Sequence, residues 1–169
     1  MDWTFGWANL IAIVIFVLGY FVRWGLDVAE RRHTRKNFYK ALAAEIRLNV
    51  VALERAVTGL PPTADIRAFL SIKPSNRLHL ISTYKSIIYE TNSSLLTQLP
   101  VTVARNIIEF YGTLEFIDAL VLAFERKSFE TISQNGREAA VDRMIDELKR
   151  ALQQGTDLSD LISRELGIP

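Results

Sequence analysis

"KALAAEIRLNVVALE", residues 40–54, carries its apolar residues at helical spacing, and the fold follows from how that pattern continues on either side. Leu42, Ile46 and Leu53 join Phe38 before them and Val57 after them in one stripe, which predicts a helix over residues 27 to about 58. Glu45 and Asn49 stand one turn apart beside Leu42 and Leu53, so both approach the buried side of that helix. A buried carboxylate is costly unless paired, and Arg105 or Lys85 is the basic partner expected for it. Two roles fit the pair: a polar clasp that fixes the register of a bundle, or a group that binds a ligand. The clasp is the simpler reading and the one adopted.

Upstream, "WTFGWANLIAIVIFVLGYFVRW" fills residues 3–24 with no charge before Arg23. Such a run, as a helix, covers roughly 33 Å, enough for a hydrocarbon layer of about 30 Å. Trp3, Trp7, Tyr20 and Trp24 lie toward its two ends, as interfacial rings do. A secretory signal fits poorly, because no basic residue precedes the run and no A-x-A site follows. Residues 1–24 are therefore expected to be a transmembrane anchor. The next stretch, residues 25–40, is a basic collar. Together with Arg23 at the edge of the run, Arg31, Arg32, Arg35, Lys36 and Lys40 gather on this side, while no Lys or Arg precedes the run. That asymmetry places the N-terminus outside, the collar against lipid headgroups, and residues 41–169 in the cytoplasm of a single-pass inner-membrane protein. Asn9, Ala12, Gly19 and Tyr20 share one side of the run, a candidate face for helix–helix contact in lipid.

Charge separates the two parts of the chain. Residues 1–40 hold six Lys/Arg against three Asp/Glu, and residues 41–169 hold fourteen against sixteen, which sums to the overall +1. No global field draws the chain to nucleic acid, which is not an expected partner. Cysteine is absent, removing disulfides, thiolate catalysis and cysteine-ligated metals together.

Downstream of residue 54 the pattern stays helical. "TGLPPTAD" ends the first helix, since paired prolines lack donors. A short helix follows around residues 64–72, and another over 77–90 with Leu78, Ile81, Tyr84 and Ile88 on one side. "ETNSS" breaks it, and Leu95, Leu96 and Leu99 form a brief apolar turn. Pro100 suits a first helical turn, and the helix after it runs to about residue 131 through Val103, Ile107, Phe110, Tyr111, Leu114, Ile117, Val121 and Phe124. "SQNG" separates that helix from one with Val141, Met144, Ile145, Leu148 and Leu152 as its stripe. Thr156 or Asp157 then caps a terminal helix with Leu158, Leu161 and Ile162, and Gly167 stands just beyond. No alternating strand pattern interrupts. The expected class is all-α: one transmembrane helix followed by an antiparallel bundle of about four helices.

"KALAAEIRLNVVALE" and "YKSIIYETNSSLLTQLPVTVARNIIEFYGTLEFID", residues 84–118, resemble a loose group of uncharacterised prokaryotic membrane-anchored proteins. The likeness lies in an A-E-I-x-x-N helix and a Tyr…Leu-x-x-Leu-Pro…Phe-Tyr-x-x-Leu stretch after one N-terminal span, and covers about half the chain. It implies an anchored helical domain. It brings no activity and no catalytic residues.

Signatures of chemistry fail one by one. Glu30-x-x-His33 is half of a di-iron motif, but His79 has Asn76 where a second glutamate should stand, and Arg31 and Arg32 repel a cation. Ser82-x-x-Lys85 lacks the companion motifs of serine–lysine catalysis. Asn92-Ser93-Ser94 is a glycosylation sequon only in a secretory lumen. None of the eight glycines precedes a Lys-Ser/Thr pair, so no phosphate loop exists. Two histidines and no cysteine make a poor zinc set. Tyr84, Tyr89, Phe110 and Tyr111 allow an aromatic-lined pocket, yet aromatics at helical spacing are ordinarily core. No catalytic residue, metal or cofactor is expected. The functional expectation is a membrane-anchored interaction or scaffolding module, with the bilayer and a protein partner or weak homo-oligomer as its contacts. The alternative is an oligomerising membrane effector or pore subunit of a prokaryotic defence system.

Overall fold

The computed structural model describes residues 3–73 and 84–167, apart from the side chains of residues 3–19, 21, 22, 25, 27–29, 31 and 32. Helix α1 runs from Trp3–Thr58, α2 from Thr63–Ile72, α3 from Ile87–Thr91, α4 from Val101–Glu125 and α5 from Gln134–Leu166. Two 3-10 turns, Ser93–Gln98 and Lys127–Thr131, precede α4 and α5. No strand occurs among the described residues, so the chain is all-helical, as its periodicity predicts. It divides into two compact units, Met1–Phe38 and Tyr39–Pro169, with the division falling inside α1.

The anchor expected over residues 1–24, and the single-pass inner-membrane localisation drawn from it, are corrected. Among the described residues no helix is long and apolar enough to cross a membrane. The apolar run does not stand alone as an element: it is the opening part of α1, which goes on past Arg23, Glu30, His33, Arg35 and Lys36, all exposed. The described side chains of that first part are solvent-facing, including Tyr20, Trp24 and Leu26. Of the candidate span face, only Tyr20 is described; the side chains of Asn9, Ala12 and Gly19 lie outside the described ones.

The second unit is a helical bundle built around α4. Leu42, Ile46 and Leu53 of α1 are buried, as are Ile66 and Leu70 of α2 and Leu96 and Leu99 around the first 3-10 turn. Every residue of the α4 stripe read from the sequence is buried, from Val103 to Phe124. On α5 the buried apolar side chains are Val141, Met144, Ile145, Leu148, Ala151, Leu158 and Ile162, and Arg137, Glu147 and Gly155 are buried beside them.

Boundaries differ from the periodicity in three places. α4 stops at Glu125 rather than near residue 131, because Arg126 turns extended and Phe129 folds back, its ring edge-on to Phe124 at 5.0 Å. The helix expected over 77–90 lies partly outside the described residues; within them Tyr84 to Ser86 is irregular and only Ile87–Thr91 is helical. Where two C-terminal helices were expected, α5 is one. Thr156 donates to the Leu152 carbonyl and Asp157 accepts from Gln153, so both side chains serve the helix interior instead of capping a new start. Caps stand instead at the true ends of α5. Ser133 Oγ accepts from the Gly136 amide at 3.2 Å, and Gly167 closes α5 at φ 59°, a left-handed position that suits glycine.

Candidate functional site

The buried polar groups of α1 meet the irregular segment that leads into α3. Asn49, 1% exposed, donates through Nδ2 to the Lys85 carbonyl at 2.7 Å and accepts at Oδ1 from the Lys85 amide at 2.7 Å. An asparagine side chain thus pairs with both backbone groups of one residue, as a neighbouring strand would. One turn earlier, Glu45 accepts at Oε2 from the Ile88 amide at 2.7 Å and at Oε1 from the Tyr89 amide at 3.2 Å. Oε1 also accepts from the Tyr111 hydroxyl at 2.6 Å.

Glu45 is a helix cap supplied from another helix. The first turn of an α-helix leaves amides without partners. Ser86, at the N-cap of α3, makes no capping hydrogen bond with its side chain; its hydroxyl donates to Glu90 instead. The carboxylate of Glu45 fills the vacancy, and its charge suits the positive end of the peptide dipoles. Neither Lys85 nor Arg105 forms an ion pair with it among the described residues; Lys85 contributes its backbone, to Asn49. The basic partner expected from the sequence is replaced by three neutral donors.

Aromatic rings close the site. Tyr89 stacks on Tyr111 at 4.1 Å with the planes 5° apart, and Phe110 meets Tyr111 edge-on at 5.4 Å. Burial drives the Tyr111 hydroxyl far above the usual phenol range, helped by its hydrogen bond to Glu45, the charge of Glu45 and the neighbouring Tyr89. It remains a donor throughout ordinary conditions. Burial raises Tyr89 and Tyr84 as well, with Glu115 adding to the first and Asp118, Glu115 and Glu90 to the second. Phe110 and Tyr111 are core; Tyr84 and Tyr89 are half-buried at its edge.

Tyr111 was legible in the apolar stripe and among the aromatics of a candidate pocket, while its bond to Glu45 carries no sequence signal. The collar residues Arg23, Arg35, Lys36 and Lys40 are exposed, and the side chains of Arg31 and Arg32 lie outside the described ones. Among the described residues no group of three His, Asp or Glu is placed to hold a metal ion. His79 and Ser82 lie outside the described residues.

Surface hollows also border α4. One, of about 440 Å³, is lined by Leu96, Leu99, Val101, Ala104 and Ile108, with Arg105 and Glu109 among its polar members. Another, of about 400 Å³, lies between α4 and α5. There Arg143 sits 4.9 Å over the Phe116 ring and Arg150 pairs with Glu147 at 3.1 Å. Neither is legible in the sequence, where the buried stripe of α4 carries the dominant periodic signal. No protein-family model, curated protein or solved structure matches this chain.

Proposed function

We propose that the protein is a non-enzymatic interaction module, a helical bundle that presents apolar helix surface to a protein partner. The observation that carries this reading is the state of Glu45. Its carboxylate, buried and set among aromatic rings, has its oxygens engaged by Ile88, Tyr89 and Tyr111. A carboxylate held by three protein donors in a closed core is spent on architecture and does not face a substrate. Support also comes from large apolar side chains left in solvent on α4 and α1, among them Val101, Ile108, Leu48 and Val51. Scattered exposed apolar residues are ordinary, but those lining a hollow mark contact surface.

The test is the native mass of the full-length chain purified from its own cells under mild conditions. A stoichiometric assembly, with itself or with another protein, is the expected result. A chain that stays monomeric across its working concentrations and retains no stoichiometric companion would reject the reading.

A further inference from the structure

The outer face of α4 carries a second pattern. Val101, Arg105, Ile108, Gly112, Glu115, Ala119 and Leu122 are spaced alternately four and three residues apart, and all seven are exposed. That is the seam spacing of a coiled coil, continued over about three heptads and roughly 32 Å of helix. Val101 is 77% exposed, Ile108 52% and Leu122 50%, which is far from the burial such side chains seek.

We propose that this face pairs antiparallel with the same face of a second copy of the chain, giving the partner that the interaction-module reading requires. The order of residues along the seam selects both the occupant and the direction. Set two copies head to tail about Phe110, and each Arg105 lies opposite the partner's Glu115. Each Ile108 then lies opposite the partner's Gly112, and each Val101 opposite the partner's Ala119. Where both helices run, a large side chain meets a small one at each apolar layer, and a cation meets an anion at each charged one. Space for Ile108 is already present: a Cβ placed on Gly112 meets nothing within 4 Å.

The last layer falls where the helix has ended. Leu122 of each copy lies opposite the residues just ahead of the partner's α4, where Leu96, Leu99 and Val101 line the 440 Å³ hollow. Among the described residues neither Arg105 nor Glu115 has an ion-pair partner within its own chain. A parallel, in-register pair would stack Arg105 on Arg105 and Glu115 on Glu115, and leave Gly112 facing Gly112 across a void. Charge and shape both choose the antiparallel dimer.

The inference rests on the interaction-module reading and is tested on the full-length chain by sedimentation. Arg105→Glu and Glu115→Arg should each weaken the dimer about tenfold, and the two together in one chain should restore it. Gly112→Leu places a side chain where a Cβ meets open space and should weaken the dimer by a similar factor. Because the chain has no cysteine, direction can be read by oxidation. Chains with Val101→Cys should cross-link to chains with Ala119→Cys and not among themselves. Three results would overturn the proposal: a monomer at all concentrations, a dimer indifferent to the reversals, or Val101→Cys chains that link to each other. A monomer that still holds a different protein in stoichiometric amount would sink the self-pairing and leave the interaction-module reading standing.

Discussion

Glu45 satisfies three donors with two oxygens, and the effect of removing it follows from what it leaves behind. Glu45→Ala strands the amides of Ile88 and Tyr89 and the hydroxyl of Tyr111 in a closed site. An unsatisfied buried donor costs about 1–3 kcal/mol, so a loss of about 2–4 kcal/mol is expected in denaturant unfolding, allowing for partial relaxation. A change below about 0.5 kcal/mol would mean the site is open to water. Asn49→Asp is the sharper companion: it keeps the acceptor for the Lys85 amide but sets an oxygen against the Lys85 carbonyl, now 2.7 Å from Nδ2. Tyr111 adds a pH dependence whose sign is fixed. Its folded pKa is raised above the ordinary phenol value of 10.0, so its contribution is complete below that pH and declines above it, where the unfolded chain loses a proton the folded chain keeps. The decline is about 1.4 kcal/mol per pH unit for one proton. Tyr111→Phe should start less stable and fall less steeply above pH 10; parallel curves for the two proteins would contradict the assignment.

At the scale of elements, two glycines on facing helices predict opposite outcomes. A Cβ on Gly155 of α5 would stand 2.6 Å from Val50 Cγ2 and 2.8 Å from Phe110 Cε2, and Phe110 is fully buried with no room to withdraw. Gly155→Ala should therefore destabilise by about 1–3 kcal/mol, despite the gain in helix propensity. Gly112→Ala meets open space and should gain about 0.5–1 kcal/mol, measured where the chain is dilute. Equal shifts in melting temperature for both would contradict the packing described. Gly155 also shows why the sequence reading cut α5 in two. Gly-Thr-Asp looks like a stop followed by a cap, and only the approach of Val50 and Phe110 reveals that the glycine is there for closeness. The stripe of α4 was legible residue by residue because eight apolar positions at one period admit no other element. Its end at Glu125 was not, since Phe129 returns to the core through tertiary contact alone. Glu45 and Asn49 could be placed on an inward face from spacing. What they hold could not, because backbone amides carry no side-chain signature.

At the scale of the molecule, the buried residues locate the stability. From Leu42 to Ile162, the core described in the second unit draws on α1, α2, α4, α5 and both 3-10 turns. That unit, Tyr39–Pro169, is long enough to bury a core of its own. A chain of residues 37–169 should therefore fold without the rest, and starting at Asn37 gives the shortened α1 a side chain suited to capping its new end. The expected result is a helical circular dichroism spectrum and one cooperative thermal transition, since the apolar stripes of α4 and α5 keep their partners. The same chain should keep the concentration dependence of the antiparallel pairing, because α4 and the 440 Å³ hollow both lie inside it. A broad, non-cooperative melt or substantial strand signal would show that residues 1–36 contribute to this core. A cooperative melt with no association at high concentration would instead locate self-contact in those first residues, where Tyr20, Trp24 and Leu26 also face solvent.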